Sequence, residues 1–341
     1  MTQTRRRLRQ AAYQFGVLGM ARYRVRRALT VAMFHRVMDP ADPDFADADP
    51  TYTVSTRLFG ELLEFFRDHY EVVNLTQVLN SAEHNVGLPD YSLLITFDDG
   101  WADNLRYAAP LLESHGLPAV IFAAGEPIFS SADIWWQEQV FGAARRGRLG
   151  AALNGAILGD PLATSGGNSC DPLELVCHLG SLGEPERNSV LKAIPASTPV
   201  SRMMLMPDDL RTLSRLKIAI GIHGYSHLPL TRVANLDAEL RRARSMIASA
   251  SGDTASAAVL AFPHGVYDDR VLKTARDVGI RLVFSSIPIL NQTESGMIEA
   301  DRPLGRISVE AAQVTRGSGR LDASAAAAWL WRRPAPQLPS A

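Results

Sequence analysis

The stretch Leu93-Leu94-Ile95-Thr96-Phe97-Asp98-Asp99-Gly100 decides the reading of this chain. An apolar run suited to a buried strand ends in two adjacent carboxylates, although Asp is depleted from strand interiors. Two like charges in consecutive positions also disfavour each other's ionisation unless something positive lies nearby. A metal ion meets that need. A second apolar run, Ile218-Ala219-Ile220, leads into Gly221-Ile222-His223-Gly224-Tyr225-Ser226-His227, where two imidazoles stand four residues apart. One Asp with two His makes a three-ligand set with open positions, the arrangement of a catalytic rather than a structural metal. Each cluster alone has a plainer explanation: Asp-Asp-Gly suits a capped strand-to-helix turn, and His is common on exposed loops. Both together, each at a strand end and followed by the turn Pro263-His264-Gly265, outweigh those explanations.

On these residues the chain resembles the polysaccharide deacetylases of the NodB-homology group (carbohydrate esterase family 4-like), metal-dependent enzymes that remove N-acetyl groups from amino sugars. The resemblance implies Asp98 as catalytic base and Asp99, His223 and His227 as metal ligands. Met33-Phe34-His35-Arg36-Val37, Phe59 with Leu62-Leu63, and Tyr70-Glu71-Val72-Val73-Asn74-Leu75 resemble the YHRV, F-x-x-x-L and y-x-v-v-x-L pattern of one subgroup. Ala261-Phe262-Pro263-His264-Gly265 resembles its F-A-Y-P-x-G segment, so the likeness runs from roughly residue 30 to 310. Three departures stand out. Gly224 replaces the Ser/Thr after the first motif His. Val259 and Ala261 stand where many members carry an Arg that orients the base. No His follows His264, so the usual C-terminal catalytic His is missing. The resemblance offers His35, from an N-terminal strand, in place of that His, and Arg306 in Leu304-Gly305-Arg306-Ile307 as the replacement for the Arg.

Apolar runs at Leu29–Phe34, Val72–Leu75, Leu93–Thr96, Ala119–Ala123, Ile218–Ile222, Val259–Phe262, Leu282–Ser285 and Arg306–Val309 alternate with helical patterns such as Phe59–Phe66 and Asn104–Ser114. This alternation argues for a parallel sheet, here an irregular α/β barrel of seven or eight strands with a helical insertion. Functional residues then belong at the C-terminal strand ends, where His35, Asp98, Asp99, His223, Pro263 and Arg306 fall. The rhythm breaks between 134 and 207, which has a Gly/Ser-rich stretch and Pro at 161, 172, 185, 195 and 199. The expected organisation is a basic N-terminal helical segment (1–28), a barrel (29–133 and 208–315), a mainly helical insertion (134–207) and a frayed C-terminal helix and tail (316–341). The insertion opens with Trp135-Trp136-Gln137-Glu138, resembling a W-W-x-E element of the subgroup, and Trp135 is a candidate for stacking on sugar.

At 341 residues and 46% hydrophobic, the chain can bury one large core. Its two cysteines, Cys170 and Cys177, suggest neither a disulfide framework nor a zinc site. The net charge of −1 conceals an asymmetry: the first 38 residues hold nine Arg and no acid, and the rest carries all 36 acids. An acidic body repels phosphates, which argues against nucleic acid. The apolar centre Ala11–Ala21 is too short to span a bilayer. Gln14 and the Arg that follows speak against a cleaved signal peptide. The segment reads as a basic amphipathic helix, either on an anionic membrane face or packed on the barrel. The expected location is cytoplasmic, either peripheral to the inner membrane or free of it, with a secreted or periplasmic location the lesser alternative.

The implied chemistry is metal-assisted amide hydrolysis on an N-acetylated carbohydrate of a bacterial cell-surface polysaccharide or its lipid-linked precursor. Zn²⁺ is the simplest ion, with Co²⁺ and Ni²⁺ as alternatives. Asp98 accepts the proton of the attacking water, and His35 donates one to the leaving amine. The oxyanion meets a backbone N–H after Pro263 or near Tyr225. His264 either lines the groove or is an exposed turn residue. Two other readings stay open: a deformylase of a lipid-linked sugar, and a non-catalytic carbohydrate-binding barrel.

Overall fold

A computed structural model describes residues 22–23, 25–149, 171–195, 199–293, 296–299, 301–315, 317 and 319–334. The basic segment before Arg22, Cys170, and the tail after Pro334 lie outside the described residues. Strands β1 (Ala28–Phe34), β5 (Ser92–Phe97), β6 (Ala119–Ala123), β7 (Ile218–Ile222), β8 (Val259–Ala261) and β9 (Leu282–Phe284) run parallel in that order, and β10 (Asn291–Gln292) pairs antiparallel with β1. Two short strands join off this path: β4 (Glu71–Val72) on β5, and β11 (Ile307–Ser308) on β1. A separate pair, β2 (Arg36–Met38) and β3 (Thr53–Ser55), continues from β1. The sheet curls into a partly open barrel. A single parallel bridge, Phe284 to Leu304, brings β9 round to the segment that becomes β11.

Residues two apart along a strand share a face, and the packing follows that period. Leu29, Val31, Leu94, Val120, Phe122, Val259, Ala261, Leu282 and Phe284 form one buried cluster with Leu75, Val78 and Leu79 of the Leu75–His84 helix. The alternate residues, among them Ala32, Phe34, Leu93, Ile95, Phe97, Ile121, Ile220 and Leu260, pack against the helices outside. Asp98 continues the Leu94–Thr96 face and so turns inward. The described part of 134–207 contains helices Trp136–Arg145, Pro172–Ser181 and Glu184–Leu191 around an apolar cluster of their own. Cys177 is free and half-buried.

Three local expectations are corrected. The strand expected at Val72–Leu75 stops at Val72, because Asn74 caps the following helix in a capping box with Gln77. Arg306 precedes β11 instead of ending a strand. The C-terminal helix Ala323–Trp331 is docked, not frayed: Asp322 caps it, Leu330 and Trp331 are buried, and the Trp331 ring stacks 6.1 Å from Phe65.

Candidate active site

Parallel strands place their C-terminal ends on one side, so His35 after β1, Asp98 and Asp99 after β5, His223 after β7 and Pro263 after β8 converge. Among the described residues, Asp99, His223 and His227 form a buried group whose ligand atoms all lie within 4.8 Å of one another. His227 Nε2 is 3.1 Å and His223 Nε2 3.5 Å from Asp99 Oδ1. His223 Nδ1 lies 2.9 Å from the Ala261 carbonyl, which can only accept, so the proton sits on Nδ1 and the lone pair on Nε2. Burial pushes the His223 pKa down to about 4, so its imidazole is neutral, the form that ligates. One carboxylate oxygen and two bare imidazole nitrogens, converging in a buried site, fit a divalent metal ion. Asp99 and His227 both adopt left-handed backbone, at φ 74° and 55°, a strain that surrounding structure must hold in place.

Asp98 stands beside this group and outside it, its nearer oxygen 3.9 Å from His223 Nε2. Arg306 grips it bidentately, Nη1 to Oδ1 at 2.5 Å and Nη2 to Oδ2 at 2.7 Å. The guanidinium is fully buried, donates its Nε–H to the Ser285 carbonyl at 3.0 Å, and lies over the Phe122 ring. Burial raises the Asp98 pKa, but the charge and hydrogen bonds of Arg306 more than reverse the effect, and the carboxyl is held below its ordinary value. Gly305 allows this approach: a Cβ there would fall 2.2 Å from Ile289 Cγ1 and 2.7 Å from the Ile287 carbonyl.

His35 is half-buried, its ring 4.6 Å from Tyr52. Its carbonyl accepts from Asn104 Nδ2 at 2.8 Å. Three other expectations are corrected. The N–H groups of Tyr225 and Ser226 and the Ser226 hydroxyl all donate to Glu239 Oε1 at 2.7–2.9 Å, so neither of these two N–H groups is free for an oxyanion. Its ring packs beneath Arg242. His264 is not an exposed turn residue: its Nε2 lies 3.2 Å from the His227 carbonyl and its ring 4.7 Å from the His227 ring, and burial pushes its pKa down to about 3. Trp135 is 6% exposed and wedged between Trp101 and His227, so it offers no open face for a sugar. Pro263 is buried and opens the tight turn Pro263–Gly265.

Several contributors escaped the sequence reading. Trp101 donates Nε1–H to Asp99 Oδ2 at 2.9 Å, and its place directly after the Asp-Asp-Gly triplet was the available signal. Arg36 lies over the Trp101 ring and pairs with buried Asp103 at 2.7 Å. Glu239 lies 13 to 14 residues beyond the two residues it fastens, with no local signal. Gln137, on the insertion helix, lies 3.0 Å from His227 Nδ1. Gly224, the departure from Ser/Thr, sits at φ 70°, where a Cβ would stand 3.3 Å from both Glu239 Oε1 and Pro263 Cγ.

The sequence profile of the family described as "Polysaccharide deacetylase" matches residues 85–283. No curated protein sequence matches the chain. Among solved structures, the Streptococcus pyogenes deacetylase PplD in complex with acetate is 14% identical at a TM-score of 0.53, covering 83% of this chain and 92% of that one. A de-N-acetylase from Aggregatibacter actinomycetemcomitans is 17% identical at 0.52 (82% and 93% covered). IcaB from Ammonifex degensii is 17% identical at 0.51 (89% and 97%). At such identities the likeness is one of fold.

Proposed function

The chain belongs to the polysaccharide deacetylase family, and from that premise we propose that it removes N-acetyl groups from amino sugars of a bacterial cell-surface polysaccharide or its lipid-linked precursor. The observation that carries this reading is Asp98, an ionised acid locked by Arg306 beside three metal-ligating side chains and not itself one of them. A carbohydrate-binding barrel has no use for such a group.

Asp99, His223 and His227 would hold the ion, for which Zn²⁺ is our choice. When bound it supplies Lewis acidity, polarising the acetamide carbonyl and acidifying water. Asp98 takes the proton of the attacking water, its oxygens kept in place by the two guanidinium bonds. His35 passes a proton to the amine nitrogen as the C–N bond breaks. With Tyr225 and Ser226 committed to Glu239, the backbone of the turn after Pro263 is our assignment for the protein's contact with the oxyanion. We further assign the chain to the subgroup with the YHRV-like segment, in which His35 would serve the site; Arg36 of that segment lying over the Trp101 ring supports this. The division at 134 and 207 into barrel and insertion belongs to the same proposal. So does docking of the Arg-rich segment on an anionic membrane, supported by the charge asymmetry. No helix among the described residues is long and apolar enough to cross a membrane.

The test is acetate release from a panel of N-acetylated oligosaccharides and lipid-linked sugars, with and without a chelator. Chelator-sensitive acetate from at least one is expected. Formate alone from an N-formyl sugar would transfer the reading to a deformylase, and no acyl release from any would remove it.

A further inference from the structure

Gln137 is completely buried in the first turn of the Trp136–Arg145 helix, outside the barrel strands that carry the metal-ligating residues. Its Nε2 donates to the Ser226 carbonyl at 2.8 Å, and its Oε1 faces His227 Nδ1 at 3.0 Å. The Ser226 carbonyl can only accept, so it fixes which end of the carboxamide points where. The oxygen left facing the imidazole can also only accept, and the ring proton must therefore sit on Nδ1. That leaves the Nε2 lone pair of His227 directed at the site, 3.1 Å from Asp99 Oδ1. The other walls of the ring, Trp135 at 4.9 Å and His264 at 4.7 Å, restrain its tilt but do not select a tautomer. The helix is itself tied to the barrel: Trp136 donates to Glu126 at 3.2 Å, and the Glu126 N–H donates to the Tyr225 carbonyl at 2.6 Å. A buried carboxamide is costly unless both ends are matched, and here both are matched by consecutive residues of one ligand loop.

We propose that Gln137 is a positioning residue for the metal, setting the tautomer and orientation of His227, and that the inserted helix is thereby part of the metal site. The inference rests on the metal reading of Asp99, His223 and His227. Full-length protein is stripped of metal and titrated with Zn²⁺ against a chromophoric chelator, with folding checked by circular dichroism. Gln137→Leu should weaken Zn²⁺ binding by about 10–100-fold, the usual cost of losing such a partner. Gln137→Glu keeps an acceptor for Nδ1–H while losing the bond to Ser226, and should bind like the parent. Gln139→Leu, on the same helix but bonded to the Leu191 and Ile194 carbonyls, should leave affinity unchanged. A merely structural role predicts that the Leu and Glu variants at 137 fail alike, because both leave the Ser226 carbonyl unmatched. Parent-like affinity in Gln137→Leu, or affinity as weak in Gln137→Glu as in Gln137→Leu, overturns the proposal. If the Leu variant does not fold, the Glu variant decides: parent-like binding supports the assignment, and a tenfold loss overturns it. A parent that takes up no Zn²⁺ overturns the metal reading instead.

Discussion

Arg306 and Asp98 are 208 residues apart in sequence, yet both oxygens of the carboxylate are matched by the two Nη groups of the guanidinium. A fork of two parallel N–H···O bonds fixes the plane of the carboxylate, which a lysine ammonium cannot do. Arg306→Lys and Arg306→Met should both lower turnover, the Met variant by about 10²-fold or more as a misplaced base would, with metal content unchanged; Met-variant turnover equal to the parent's would refute the orienting role. His35→Ala should lower turnover on an N-acetyl sugar by about 10²-fold but affect an activated acetate ester much less, because a good leaving group needs no proton. Equal losses on both substrates would make His35 structural. At this scale, Asp98, Asp99, His223 and His227 were legible because each pair follows an apolar strand directly. The roles of Glu239, Gln137 and Trp101 were not, because a polar residue on a helix or loop acquires its meaning only from the group the fold sets against it. Arg306 was an intermediate case, sought because the usual Arg was absent and identified by position, while its bidentate grip required the fold.

The elements around the site are coupled through buried charge as well as apolar packing. Arg36 at the start of β2 pairs with Asp103, and Asp103 Oδ1 also accepts the Val37 N–H at 3.1 Å. Burial raises the Asp103 pKa against the pull of Arg36. Removing Arg36 would strand a carboxylate in the interior, so Arg36→Met should destabilise the fold by about 3–5 kcal/mol in denaturant unfolding; the double variant Arg36→Met/Asp103→Leu should recover much of this, and a single variant as stable as the parent would contradict the account. Element boundaries were legible where a capping signal was read. Asn74 followed by Gln77 is such a signal, and missing it turned the start of a helix into the end of a strand. The Ala-rich C-terminal helix gives no amphipathic signal, so its docking depends on Trp331 meeting Phe65, which local sequence does not encode.

The whole molecule uses a mainly parallel sheet to carry residues from positions 35 to 263 to one rim and to fill the concave face beneath with apolar side chains. The repeated strand–helix pattern made that architecture readable, whereas the closure by one bridge at Leu304 was beyond any periodicity. An ion that binds the folded site alone stabilises the fold, by about 2.7 kcal/mol when free metal is one hundred times its dissociation constant. Adding a chelator to metal-loaded protein should therefore lower the melting temperature, and an unchanged melt would argue against the site. The most direct measurement is elemental analysis, alongside turnover, of the parent, Asp98→Asn, and Ala variants at Asp99, His223 and His227. The account predicts metal without turnover in Asp98→Asn, and neither metal nor turnover in the three Ala variants; full metal occupancy in all three would contradict it.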